Sequence, residues 1–187
     1  MPVLILDRDG VINHDSADFI KSEEEWLPLT GSIEAIARAS KAGWQIVVAS
    51  NQSGLGRGLF DEFALARMHE KFRQLVEEAG GTIEGIFYCP HTPDAGCDCR
   101  KPKTGMLSAI EEALDVDLTQ APFVGDSLRD LQSALSFGCK PILVRTGKGA
   151  ATEAQLKSEP TVLDPHTIAA DEIAVFDDLA AVVSSLL

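Results

Sequence analysis

The chain has 187 residues, 45% of them hydrophobic, which suits one globular core and excludes a disordered chain. Sixteen Lys and Arg against 29 Asp and Glu leave a formal charge of −13. That balance disfavours nucleic acid or an anionic membrane as a general partner, while a small phosphorylated substrate meets only the local field. The opening MPVLILDRDG turns acidic too early for a signal peptide, and no apolar run approaches the ~18 residues of a membrane span. A cytoplasmic monomer is expected, its four cysteines serving as thiols or metal ligands rather than as disulfides.

Short apolar or β-branched runs predict strands at 3–6, 45–49, 83–88, 122–125 and 141–145. Between them, apolar residues at three- and four-residue spacing predict helices over 32–42, 61–79, 105–114 and 128–137, with a closing helix over 178–187. Gly43, Gly80 and Gly138 stand where helix C-caps fall. Residues 148–171 are polar and poorly periodic, so a long surface loop is expected there. The alternation implies right-handed crossovers in a single α/β domain over 1–187: a three-layer, Rossmann-like, mostly parallel sheet with helices on both faces.

Ligands of such sheets bind beyond the carboxyl ends of the strands. Here those ends carry residues 7–10, 50–54, 89–101 and 126–130. Asp7 and Asp9 alternate to one side of the first strand end, and Asp126 follows a second buried-type strand, with Asp130 one helical turn on. Carboxylates converging from strand ends repel one another unless a hard cation lies among them, and Mg2+ suits such a set. Ser50-Asn51-Gln52-Ser53-Gly54 offers hydroxyls and amides to phosphate oxygens. In Arg100-Lys101-Pro102-Lys103, a lysine can neutralise a transferred phosphoryl group.

Cys89, His91, Cys97 and Cys99 fall within one short loop (89–99), and CxH plus CxC closes a tetrahedral Cys3His site. Four protein ligands mark a structural Zn2+, and the loop runs straight into Arg100-Lys101, so the metal fixes the phosphate-handling cations. Cys139 reads as a spare buried thiol and His69 as a partly exposed helix residue, while His14 lies near the aspartate pair.

The ordered set of Asp7-x-Asp9, Ser50, Lys101 and Asp126 resembles the haloacid dehalogenase superfamily of phosphatases over roughly the first 150 residues. The resemblance implies that Asp7 is the nucleophile of an aspartyl-phosphate pathway and Asp9 the general acid and base. It further implies that Ser50 and Lys101 stabilise the phosphoryl group, and that Mg2+ is held by the side chains of Asp7 and Asp126 and the backbone carbonyl of Asp9. Asp130 would lie just behind. The gaps 11–49 and 54–100 are too small for a cap domain, so the site is expected to be open.

With its zinc loop the chain is similar to the capless branch whose members act on a heptose bisphosphate, in lipopolysaccharide heptose supply, or on histidinol phosphate. The segments around Asp7, Gly54-Leu55-Gly56-Arg57-Gly58 and Val144-Arg145-Thr146-Gly147-Lys148 resemble the heptose members, whose 7-phosphate is removed. That resemblance implies a substrate wall from Asp15, Ser16, Asp18, Asn51, Gln52, Ser53 and Arg100. Arg57 and Arg100 are placed to meet a second phosphate, with Lys103 as a further candidate. Ser127 stands where a substrate-contacting Lys can occur, with Arg129 as a partial substitute. The alternatives are a histidinol-phosphate phosphatase and, in another class, a non-catalytic zinc-loop binding module.

Overall fold

A computed structural model describes residues 1–159, 161–163 and 173–187. Among the described residues, six parallel strands form one sheet in the order β3-β2-β1-β4-β5-β6. They are β1 (Val3–Leu6), β2 (Gln45–Asn51), β3 (Gly85–Cys89), β4 (Pro122–Gly125), β5 (Lys140–Val144) and β6 (Ala174–Phe176). The helices are α1 (Ser32–Lys41), α2 (Ser53–Gly56), α3 (Glu62–Glu78), α4 (Gly105–Leu114), α5 (Leu128–Phe137), α6 (Gly149–Ser158) and α7 (Leu179–Leu186).

Alternation along β1 divides the core between two layers. Leu4 and Leu6 pack with Ile36, Met68, Phe72 and Val182, so α1, α3 and α7 cover one face. Val3 and Ile5 pack with Met106, Leu107 and Ile110 of α4 and Ala134 of α5 on the other. A satellite cluster of Leu131, Leu143 and Leu156 seats α6 beside α5. Both faces are buried, which is why the strands read as continuous apolar runs.

β1, β4, α4 and α5 have their expected bounds. The strand β2 runs two residues further than expected, through Ser50 and Asn51, which pair with Tyr88 and Cys89. The helices α3 and α7 each begin one residue later, because Asp61 and Asp178 are their caps: each carboxylate accepts an amide 2.8 Å away, from Ala64 and Ala181.

The expected loop over 148–171 is corrected in its first half, where α6 forms; residues 160 and 164–171 lie outside the described residues. This helix hides from periodicity because Gly149, Thr152 and Leu156 form its buried stripe, two of them not hydrophobic. The Thr152 hydroxyl donates to the Asp126 carbonyl (2.8 Å), and a side chain at Gly149 would overlap the Val144 carbonyl. The short α2 and the three-residue β6 likewise carried too few residues to be predicted.

Candidate active site

The strand order reverses beside β1, with β2 on one side and β4 on the other, and the site opens at that switch point. A cavity of about 780 Å3 lies there. Asp7, Asp9, Asp15, Ser16, Asn51, Gln52, Ser53, Arg57, Arg100, Lys101 and Asp126 all line it. Two expected residues do not. Asp18 is exposed to solvent outside the cavity, and Ser50 is buried beneath it, its hydroxyl accepting from Gln52 Nε2 at 2.7 Å.

Asp7, Asp126 and Asp130 bring carboxylate oxygens within 4.8 Å of one another. Lys101 is 2% exposed and spends its ammonium on this floor: Asp7 Oδ1 at 2.9 Å, Asp130 Oδ1 at 2.7 Å and the Ala49 carbonyl at 2.7 Å. Asp130 thus anchors Lys101 directly, and its Oδ2 accepts the Ser127 amide (3.0 Å) and hydroxyl (2.7 Å). One ammonium does not balance three carboxylates. Burial and the Asp130 charge push Asp7 up to about 8 against the pull of Lys101, and the same two causes raise Asp126 to about 7. Asp130 stays below the usual range, because Lys101 and Ser127 outweigh its burial.

Such a floor fits a divalent cation. The donors are hard carboxylate oxygens, the charge excess is negative, and the space has been kept by glycine. A Cβ at Gly10 or Gly147, both at positive φ, would overlap Asp126 Oδ2. Asp126 Oδ2 is itself held by the Lys148 amide at 2.8 Å.

Asp9 is held apart from this trio. Arg8 Nη2 reaches its two oxygens at 3.0 and 3.1 Å and Nε adds 3.2 Å, while Asn13 Nδ2 and Gln52 Nε2 donate at 2.8 Å each. Burial alone would raise this carboxyl, but the Arg8 charge and the amide donors hold it below the usual range. Asn51, which lines the cavity, also clamps the Lys101 backbone, donating to its carbonyl and accepting from its amide, each at 3.1 Å.

Arg57, Arg100, Arg129 and Lys148 form the cationic part of the wall. Burial and the neighbouring Arg129 and Arg57 charges hold the Arg100 guanidinium below its ordinary value, as expected where cations gather without an anion between them. Lys103 does not join them; its ammonium donates to the Cys97 carbonyl. Lys148 pairs with Asp15 at 2.8 Å.

In the cysteine loop, Cys89, His91, Cys97 and Cys99 place their donor atoms within 4.8 Å of one another. The separations Cys89–Cys97 (3.7 Å), Cys89–Cys99 (3.2 Å), Cys89–His91 Nδ1 (3.6 Å) and His91 Nδ1–Cys99 (3.3 Å) approach the tetrahedral edge of about 3.7 Å implied by a Zn–S bond of about 2.3 Å. The donor set fits zinc. Cys139 is buried elsewhere, its thiol donating to the Leu118 carbonyl.

Sequence reasoning missed Arg8, Asn13, Lys148 and the two glycines. Arg8 carried one signal: alternation aims it away from its flanking aspartates into the core, where a cation must find a partner.

Residues 98–173 match a family model described as HAD-hydrolase-like. A D-glycero-β-D-manno-heptose-1,7-bisphosphate 7-phosphatase from Pseudomonas aeruginosa is 54% identical over 99% of this chain and 97% of its own length. Its namesake from Pseudomonas putida is 51% identical over the whole of both chains. The chain belongs to this phosphatase family of the haloacid dehalogenase superfamily. A crystal structure of the D,D-heptose 1,7-bisphosphate phosphatase of Bordetella bronchiseptica, in complex with magnesium and phosphate, superposes with a TM-score of 0.89 at 49% identity, covering 100% of this chain and 98% of that one. The Burkholderia thailandensis enzyme superposes with a TM-score of 0.73 at 38% identity, over 100% and 98% of the two chains. This family membership bears out the expected superfamily, fold and phosphatase chemistry.

Proposed function

We propose that the chain is a Mg2+-dependent phosphatase that removes the 7-phosphate of D-glycero-β-D-manno-heptose 1,7-bisphosphate for lipopolysaccharide heptose synthesis. The observation that carries this reading is the Lys101 ammonium shared between Asp7 and Asp130 at the floor of a cavity whose wall holds Arg57, Arg100 and Arg129. A doubly phosphorylated sugar needs both: one phosphate at the floor, the other on the wall. The names of the relatives supply the sugar and its β configuration.

In this reading Asp9, ionised in the free site, takes up a proton as the substrate phosphate binds; the Asp7 carboxylate attacks phosphorus while the bond to the C7 oxygen breaks, and Asp9 gives that departing oxygen its proton. Asp9 then takes a proton from water, which attacks the aspartyl phosphate, releases phosphate and restores Asp7. Lys101 offsets the growing charge on the phosphoryl oxygens, and Ser50 acts through Gln52 at the same edge. The side chains of Asp7 and Asp126 and the carbonyl of Asp9 would hold Mg2+, which supplies charge compensation and polarises a phosphoryl oxygen. Zn2+ on Cys89, His91, Cys97 and Cys99 is structural. Residues 1–187 act as one catalytic domain, a cytoplasmic monomer.

The test is a side-by-side assay of phosphate release from the β-heptose bisphosphate and from histidinol phosphate, with Asp7→Asn as control. The reading requires kcat/KM for the heptose to be at least ~100-fold higher and Asp7→Asn to be inactive. The opposite ranking would overturn the substrate; turnover by Asp7→Asn would overturn the nucleophile.

A further inference from the structure

Arg8 lies between the two aspartates in sequence, yet it does not line the cavity; it is 1% exposed and among the largest sealed side chains in the molecule. A guanidinium removed from water needs a partner, and Asp9 is its ion-pair partner among the described residues. The two bonds from Nη2 and the one from Nε to the Asp9 carboxylate are those of a fork gripping a planar group. Nη2 also donates to Gln52 Oε1 at 3.0 Å, and Gln52 Nε2 returns to Asp9 Oδ2, closing a ring around the carboxylate. Asn13 secures Oδ1. With three residues gripping it, the Asp9 side chain still keeps 21% of its surface open. The strand end needs none of this, since the Asp7 amide is already bonded to the Val124 carbonyl.

We propose that Arg8 is a positioning residue for proton transfer: it fixes the Asp9 carboxylate in one rotamer facing the reacting oxygen. The proposal rests on the reading of Asp9 as general acid and base. Arg8 touches no substrate and works through Asp9 alone, with Gln52 as its brace. A fixed carboxylate meets the leaving oxygen without a search through rotamers, and an apolar residue of equal volume could fill the space but not hold the acid.

The leaving group separates this role from a merely structural one. An alkoxide leaving from C7 needs a proton, whereas p-nitrophenolate leaves without one. Arg8→Met is expected to lower kcat on the heptose bisphosphate about 30-fold with KM within about threefold of the parent, a partial loss of the roughly 100- to 10,000-fold that general acid catalysis supplies, because Asp9 itself remains. Single-turnover phosphorylation of Asp7 by p-nitrophenyl phosphate is expected to stay within about threefold. In an Asp9→Asn background, Arg8→Met is expected to add less than about twofold, because both changes remove one function. Arg8→Lys, which keeps the charge but loses the fork, is expected to fall between Arg8→Met and the parent.

Equal losses on both substrates, an additive double variant or an unchanged kcat would overturn the proposal. If Arg8→Met does not fold, Arg8→Lys carries the same comparison, and equal losses there overturn it as well. Parent-level turnover by Asp9→Asn would instead remove the acid–base reading, and the proposal with it.

Discussion

Removing Mg2+ should make the stability of this protein fall as pH rises through neutrality. Without a divalent cation, Asp7, Asp126 and Asp130 share one ammonium, and Asp7 and Asp126 titrate near 8 and 7 instead of near 3.8. A carboxyl whose folded pKa exceeds its unfolded value contributes stability in full below the unfolded pKa, and that contribution drains as pH climbs through the folded one. Below pH 6.5 His69 works in the other direction, since burial and the Arg8 charge hold its imidazole down to about 4, so the clean window is pH 6.5 to 9. Across it, Asp7 loses about 2 kcal/mol and Asp126 about 1 kcal/mol by linkage at 1.36 kcal/mol per pKa unit. In a chain of this size each kcal/mol moves Tm by about 2–4 °C, so Tm should fall by roughly 6–12 °C. The measurement is a set of thermal melts in Mg2+-free buffer without chelator, which would also strip a metal held by the cysteine loop, repeated with saturating Mg2+. The ion keeps the carboxylates charged in the folded state and should flatten the slope. A Tm that is level from pH 6.5 to 9 without Mg2+, or an equal slope with it, would refute the account of an unbalanced floor.

Lys101→Met should cost about 3–5 kcal/mol in the metal-free protein, since it strands buried carboxylates, and should lower kcat by at least ~100-fold; melts and steady-state kinetics measure both. Gly147→Ala should weaken Mg2+ binding and cost ~1–2 kcal/mol, because its methyl would overlap Asp126 Oδ2 at a positive φ; an unaltered Mg2+ titration would show that the cradle is not needed. Arg100→Ala should raise KM for the bisphosphate about tenfold while leaving a monophosphate ester within about twofold, which kinetics on the two substrates compare. Chelating zinc should lower Tm by ~10 °C and raise KM, because Arg100 and Lys101 follow Cys99 directly; unchanged melting would make the cysteines incidental.

The strand ends were legible because parallel strands bury both faces, so Leu4-Ile5-Leu6 and Phe123-Val124 stand out as apolar runs whose next residue is Asp7 or, after Gly125, Asp126. The convergence of Cys89, His91, Cys97 and Cys99 was legible because cysteine and histidine at tight spacing have few other uses than holding a metal. Illegible were the contacts made by ordinary residues across long sequence gaps. Asn51 is spent on the Lys101 backbone fifty residues on, and Thr146 donates to the Gly10 carbonyl across 136 residues. The helix α6 escaped because its packing is built on Gly149 and Thr152, which carry no hydrophobic signal. For Arg8, alternation signalled only burial; an i,i+1 ion pair leaves no pattern that names its partner, and the structure alone shows that partner to be Asp9.

A chain of charge −13 that receives a bisphosphate has to separate its charges by depth. Asp7, Asp126 and Asp130 are all at least nine-tenths buried, with Lys101 sealed among them, while Arg57, Arg129 and Lys148 stand exposed on the cavity wall and Arg100 half-buried beside them. An approaching phosphate therefore meets cations first. The acidic surface beyond lies largely outside the Debye length of about 8 Å at physiological salt, so it slows encounter without setting the field at the mouth. The carboxylate floor would repel the same phosphate were it not compensated, and Lys101 covers only part of that charge. The remainder makes the floor a site for a divalent ion, and its burial confines the compensated charge to the atoms where a phosphoryl group would be transferred. The asymmetry also orients the substrate. The wall cations keep their charge with or without metal, so one phosphate can dock there while the other finds its place only over a floor that metal and Lys101 together have neutralised.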